Sequence, residues 1–335
     1  MKNIELPRKV VIGEGAIKEV KETILELDLY GNSLVISDQN TRDVAGRFIC
    51  DQLNSYEIVI ESSSEKEIEK IVNYAKRKNV KYLIAAGGGT VIDITKVAAL
   101  EAKIPFLSVP TAASHDGIAS SRASIKRDKP VSIQTHCPIA IIADISIIKK
   151  APSKLLASGC ADAISNYTAV LDWKLAHDEK NEYYGDYAAA LSMMSAQIVM
   201  ENAEKIKDNV SIAVEALISS GVAMGIAGSS RPCSGSEHLF SHALDMICEK
   251  PALHGEQCGV GTIMMAYLHN ADWAKVRDSL KIIGAPINAE ELDIPEEDII
   301  EALTIAHEVR DRYTILRNGL SEKEALEIAK ETGVI

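Results

Sequence analysis

Lys81-Tyr82-Leu83-Ile84-Ala85-Ala86 runs into Gly87-Gly88-Gly89-Thr90, and Val91-Ile92-Asp93-Ile94-Thr95-Lys96 follows without a break. The first segment is short and apolar, as a strand covered on both faces should be. The last opens a helix over Thr90–Ala102. Glycines at such a junction let backbone N–H groups come close to a ligand, and a helix N-terminus favours negative charge. A pyrophosphate is the natural occupant. The run is neither GxGxxG nor a Walker loop, and a tight turn holding nothing fits three glycines equally well. Asp93 and Lys96 share one face of the new helix; taken alone they read as an exposed ion pair.

The same grammar extends to both sides. Arg8–Ile12, Ser33–Ser37, Tyr56–Glu61, Pro105–Val109 and Ile139–Asp144 read as further strands. Helices are expected over Glu14–Leu27, Asn40–Leu53 and Ser64–Lys78, the last opened by a Ser64/Glu67 capping box. This alternation implies a doubly wound, mostly parallel, Rossmann-like sheet. A hairpin, Ser121–Lys126 and Val131–Thr135 turning at Asp128-Lys129-Pro130, interrupts it. In open α/β sheets ligands bind at the carboxyl ends of strands. The loop Thr111-Ala112-Ala113-Ser114-His115-Asp116-Gly117, dense in small and hydroxyl residues, sits at such an end. Asp38, after Ser33–Ser37, could bind an adenosine ribose, and Arg42 could instead take a 2′-phosphate; an ordinary loop carboxylate is the plainer reading of Asp38.

From Pro152 onward no strand pattern is visible. Helices are expected over Pro152–Trp173, Tyr183–Met200, Val210–Ala227, Glu237–Cys248, Gln257–His269, Glu296–Arg310 and Glu322–Glu331. The expectation is an α/β domain over 1–150 and an all-helical domain over 151–335, with the cleft between them the default ligand site.

Composition narrows the function. Forty-eight acidic against 36 basic residues, net charge −12, argue against nucleic acid as a partner. The longest uncharged stretch, Ala216–Ser230, is too short and too rich in glycine and serine for a membrane span. Met1–Pro7 has no apolar signal core. Six scattered cysteines without a CxxC pair read as reduced thiols of a cytoplasmic protein.

His238 and His242 stand at i and i+4 on an expected helix, where side chains share a face. Ser234 and Glu237 fit a capping box opening that helix. His254 lies sixteen residues after His238. Two convergent imidazoles suit a divalent metal, and a third ligand is then needed. Asp162, in the apolar surround Cys160-Ala161-Ala163-Ile164, is the best candidate, an exposed helix carboxylate being the alternative. The absence of HExxH disfavours a zincin protease. His177, His269 and His307 read as surface or structural residues.

Together GGGx3Dx2K at Gly87–Lys96, Pro110–Ser114, Asp162, and SGSEHLFSHALD followed by PALHGEQCGVG resemble the superfamily of iron-containing alcohol dehydrogenases, glycerol dehydrogenases and dehydroquinate synthases. Within it, TAASHDGIASS at 111–121, SGSEHLFSHALD at 234–245 and DRYTIL at 311–316 resemble the sn-glycerol-1-phosphate dehydrogenase subfamily. The resemblance implies a divalent metal, usually zinc, on Asp162, His238 and His254. It implies NAD or NADP over Gly87, Gly88, Gly89, Thr90, Val91, Thr111, Ala112, Ala113, Ser114 and Ser120. It sets Asp116, Asp162 and His242 against the substrate, dihydroxyacetone phosphate or glycerol 1-phosphate, with Asp116 and His242 catalytic. His242 is expected to serve substrate or proton transfer, although three or four protein ligands to the metal stay open. The implied reaction is NAD(P)H-dependent reduction of the C2 ketone for archaeal membrane phospholipid synthesis. Hydroxyls and amides around Ser234–Ser236, or Arg231, are candidates for the phosphate. A homo-oligomer is expected. The alternatives are a glycerol dehydrogenase, a lyase like dehydroquinate synthase, a metal-dependent phosphatase and a non-catalytic nucleotide-binding protein.

Overall fold

The computed structural model describes residues 4–126 and 130–335. Asp128 and Lys129 of the expected turn, and the first three residues of the Met1–Pro7 segment, lie outside the described residues. The chain divides into two compact units, Met1–Pro152 and Ser153–Ile335.

Among its described residues the first unit holds eight strands: β1 (Lys9–Gly13), β2 (Asn32–Asp38), β3 (Tyr56–Ile60), β4 (Val80–Gly87), β5 (Phe106–Pro110), β6 (Arg122–Lys126), β7 (Pro130–Gln134) and β8 (Ala140–Asp144). Six form one sheet in the order β1-β8-β5-β4-β2-β3, every neighbour parallel. The other two, β6 and β7, pair as the antiparallel hairpin. Side chains alternate across each strand. Val35, Ile84, Leu107 and Ile142 pack with Val20, Ile24 and Ile49 of α1 (Val20–Glu26) and α2 (Arg47–Leu53). Leu34, Leu83, Phe106 and Ile141 point the other way and are equally buried. The remaining helices of this unit are α3 (Glu65–Arg77), α4 (Gly89–Ala102) and the short α5 (Ile145–Ile148).

Several local expectations are corrected. The first expected helix opens as a 3-10 turn, Ala16–Glu19, because the Asp144 carboxylate accepts the Gly15 and Ile17 amides at 3.1 Å each. The second opens with a π turn, Arg42–Gly46, whose Ala45 and Gly46 amides both reach Thr41 O. The Ser64/Glu67 box does not form: Glu67 accepts from the Glu61 amide and pairs with Lys70. Asp93 and Lys96 are not exposed. Lys96 Nζ lies 3.1 Å from Asp93 Oδ1 and 2.5 Å from Arg122 O, and Asp93 Oδ2 accepts the Ser124 amide. The pair ties the hairpin to α4, a buried charge offset by its partner and by backbone.

The second unit is helical throughout: α6 (Ser153–Lys180), α7 (Asp186–Glu201), α8 (Ser211–Ala227), α9 (Ser236–Ile247), α10 (His254–Leu268), α11 (Trp273–Ile283), α12 (Ala289–Leu292), α13 (Glu296–Ile305) and α14 (Glu322–Glu331). The long α6 is its centre, packed by α7, α8, α9, α10 and α11. Helices α11 and α12 go beyond those expected. Asp272, accepting the Lys275 amide, caps α11, and left-handed Gly284 ends it. The Ser234/Glu237 box fails too. The α9 N-cap is Gly235, whose amide donates to Glu237 Oε1 at 2.6 Å. Asp172 of α6 accepts both the amide and the hydroxyl of Ser236 at 2.6 Å, so a tertiary carboxylate caps this helix.

Candidate active site

The glycine run sits where the expectation put it, at the end of β4, but its three glycines do different work. A Cβ on Gly87 would stand 2.5 Å from Val91 Cγ2, and one on Gly89 would stand 1.9 Å from His115 Nε2. Both glycines make room for other parts of the fold. A Cβ on Gly88 meets nothing within 4 Å. That open space lies at the N-terminus of α4, beside amides that lack helical partners, and it fits an anion. Gly87 and Pro110 are opposite in register, and the Thr111 amide donates to Gly87 O at 3.1 Å, so the hydroxyl-rich loop runs beside the run. Thr111, Ala112 and Ala113 are buried; Ser114 is half-buried. Ser120 is buried, its hydroxyl facing the Arg122 backbone.

His115 Nδ1 accepts the Gly117 amide at 2.9 Å, which puts the proton of the neutral ring on Nε2, against Gly89. Burial pushes His115 below its usual range. Burial also raises Asp116 to about 7, with Lys96 opposing and Asp93 assisting. Asp116 thus titrates near neutrality, where a proton-handling group is most useful. Asp38 Oδ1 accepts the Asn40 and Thr41 amides and the Thr41 hydroxyl, fixing its own turn. Arg42 is held by Glu57 through Nε and Nη2.

In the second unit Asp162, His238 and His254 meet. His238 Nε2 and His254 Nε2 lie 3.8 and 3.7 Å from Asp162 Oδ1, and the two imidazole centroids are 4.9 Å apart. Such separations are close to the edge of about 3.4 Å expected for ligands held tetrahedrally around one zinc-sized ion. The donor set therefore fits a divalent metal. Close helix packing makes it: a Cβ on Gly255 would meet Ser158 O at 2.0 Å, so only glycine lets the start of α10 lie against α6. That contact carries His254, the first residue of α10, to Asp162. The Glu237 carboxylate orients His238 by taking Nδ1 at 2.9 Å, leaving Nε2 for a metal. Burial drives His238 well below its usual value, and His254 and His242 push the same way, so the ring is neutral as a ligand must be.

Cys258 is the member that sequence reasoning missed. Its Sγ completes a set of four donor atoms, with Asp162, His238 and His254, all within 4.8 Å of one another. The signal was its i+4 spacing from His254. His242 lies beside the set. Its ring stacks at 5.8 Å on His254 and stands 6.5 Å from His238, with Nδ1 3.7 Å from Asp245 and Nε2 3.2 Å from Arg310 Nη2. His269, half-buried, sets Nε2 3.0 Å from Asp172 Oδ1, a structural partner. Arg231 bonds the Glu182 carboxylate and Tyr313 O, and Ser236 bonds Asp172, so both of these phosphate candidates have partners within the fold.

Comparison with known proteins adds to this geometry. The iron-containing alcohol dehydrogenase family matches over residues 11–152. A glycerol-1-phosphate dehydrogenase [NAD(P)+] of Methanosarcina acetivorans is 53% identical, covering 99% of this chain and 96% of that protein. Its namesake in Pyrococcus horikoshii is 51% identical, covering 99% of both. Among solved structures, a probable glycerol dehydrogenase from Sinorhizobium meliloti superposes with a TM-score of 0.80 at 20% identity, covering 100% of both chains. A sulfoacetaldehyde reductase from Bifidobacterium kashiwanohense gives 0.77 at 16%, covering 99% and 98%. At such identities the structural likeness speaks for the fold alone.

Proposed function

The chain belongs to the glycerol-1-phosphate dehydrogenases, within the iron-containing alcohol dehydrogenase superfamily, and from that premise we propose that it reduces dihydroxyacetone phosphate to sn-glycerol 1-phosphate with NADH or NADPH, for archaeal phospholipid synthesis. The observation that carries the reading is the convergence of Asp162, His238 and His254 in a chain whose relatives at half identity bear this name.

In this reading the reduced nicotinamide supplies hydride and the divalent metal, zinc by its donor set, supplies Lewis acidity to the ketone. Asp162, His238 and His254 hold the ion; Glu237 keeps His238 turned toward it. The space at Gly88 and the amides opening α4 take the pyrophosphate, with Thr111, Ala112, Ala113, Ser114 and Ser120 along the same ligand. Asp116 and His242 act on the substrate. Reduction consumes one hydride and one proton, and His242 delivers the proton to the carbonyl oxygen as the alcohol forms. Asp162 does double duty beside the substrate.

We assign the protein to the cytoplasm. Its six cysteines, all among the described residues, form no disulfide, and no helix among the described residues is long and apolar enough to cross a membrane. Exposed Tyr187, Met194 and Ile198 form an apolar stripe on α7, which supports a homo-oligomer. The test of the reaction is direct. Metal-loaded protein, reduced cofactor and dihydroxyacetone phosphate are mixed, nicotinamide absorbance is followed, and the product is analysed on a chiral phase. Stoichiometric oxidation with sn-glycerol 1-phosphate formed is expected. Phosphate release without oxidation would mark a hydrolase instead and overturn the proposal.

A further inference from the structure

The substrate just proposed carries a phosphate that is close to a dianion at neutral pH, a few bonds from the carbonyl to be reduced. Its charge needs a cationic partner near the metal ligands. We propose that Arg310, backed by Arg312, is that phosphate subsite; this rests on the reduction proposed above.

Placement is the first argument. Arg310 Nη2 stands 3.2 Å from His242 Nε2, and the His242 ring stacks on His254 at 5.8 Å. A guanidinium therefore lies one imidazole away from the metal ligands, a separation suited to a small phosphorylated ketone. The second argument is the acceptor. At His242, Arg310 donates to an imidazole nitrogen, whereas phosphate offers charged oxygens that match the guanidinium fork and bind more strongly. Phosphate capture would draw Arg310 off Nε2 and leave that nitrogen to the substrate. The third is the local charge. Glu182 answers Arg231, but Arg312 donates to the Ser234 carbonyl oxygen and, at 2.8 Å, to the Ser230 hydroxyl, both uncharged. Burial, then Arg231 and Arg310, lower Arg312 to about 10, with Glu237 and Glu182 opposing, so two further guanidiniums lie near it. The fourth is rigidity. Asp172 accepts the Ile315 amide at 2.7 Å with the carboxylate that caps α9, so the segment bearing both arginines is anchored to the helix bearing His238 and His242. Two guanidiniums thus stand, held in place, near the metal ligands, a geometry that suits a phosphate.

The experiment uses metal-loaded full-length protein, wild type and Arg310→Gln. Binding of inorganic phosphate is measured by calorimetry, and kcat/KM for dihydroxyacetone phosphate in parallel, with NADH affinity and bound metal as controls. Arg310→Gln should lower both phosphate affinity and kcat/KM by about 10²–10³-fold, as for removing one partner of a hydrogen-bonded charge pair, and leave NADH affinity and metal unchanged. Undiminished phosphate affinity in the variant, or equal losses of phosphate, NADH and metal, would overturn the subsite. If Arg310→Gln does not fold, Arg310→Lys serves. It keeps the charge without the fork, so an intermediate loss is expected and no loss counts against the proposal. The two readings fail separately. A wild type that binds phosphate through Arg310 but never oxidises NADH with this ketone refutes the reduction and leaves an anion site.

Discussion

Gly88→Val separates a ligand cradle from a tight turn. A Cβ at Gly88 meets nothing within 4 Å, and φ −80°, ψ −169° is extended backbone that valine adopts readily. Folding stability should hold, or rise by about 0.4–1 kcal/mol as the unfolded chain loses glycine's freedom. The two methyl groups occupy the space in which a pyrophosphate would meet the amides of α4. Hydrogen bonds to a charged group contribute about 1.5–3 kcal/mol each. Losing one or two should therefore weaken NADH and NADPH about 30- to 1000-fold, or about 2–4 kcal/mol. Fluorescence titration of both cofactors, with melting curves and metal analysis alongside, reads all three quantities. An unchanged Kd in a folded variant would refute the cradle and reduce the run to a turn. The neighbouring Gly89→Ala should behave in the opposite way. Its Cβ would fall 1.9 Å from His115 Nε2, and the ring is already held by the Gly117 amide. Displacing it should destabilise the fold by about 1–3 kcal/mol; an unaltered melting temperature would show that the ring does not fill that space.

His254→Ala should lose metal and turnover together while cofactor still binds, because His254 Nε2 faces Asp162 at 3.7 Å; full metal occupancy by elemental analysis would remove it from the ligand set. His242→Ala should keep the metal but lose kcat by about 10²–10⁴-fold if its part is proton transfer; a folded, metal-free variant would mean that His242 is an essential ligand. Asp116 keeps its proton to about 7 in the fold against an ordinary 3.8, so between those values the folded state binds more protons and stability falls as pH rises. Asp116→Asn should flatten that slope by at most about 1.4 kcal/mol per pH unit, read from denaturant melts between pH 4 and 8; an identical slope in both proteins would show that Asp116 titrates normally.

Much of this protein was legible in residue order because the information was local. Strands covered on both faces are short apolar runs, and β2, β4, β5 and β8 carry that pattern whatever their neighbours do. The i, i+4 spacing of His238 and His242 is a property of one helix, and so is the strand–glycine–helix junction at Gly87–Gly89. Helix starts were less legible, since their caps came from afar. Asp144 captures the amides of Gly15 and Ile17, and Asp172 captures Ser236, where Ser234 and Glu237 had suggested a local box.

What residue order determined, then, was the alternation of elements, the two grammars meeting near Pro152, and which side chains could share a helix face. Tertiary structure alone decided which of them meet. Gly255 lets α10 approach α6 and so carries His254 and Cys258 to Asp162, and Asp172 anchors the segment that brings Arg310 to His242. It also divided the labour of the glycines. Gly87 yields to Val91, four residues on, whereas Gly89 yields to His115 of a different loop, leaving Gly88 open. The reason is physical: periodicity along one helix or strand follows from backbone geometry, whereas the approach of two elements depends on how their surfaces fill space, which no single segment encodes.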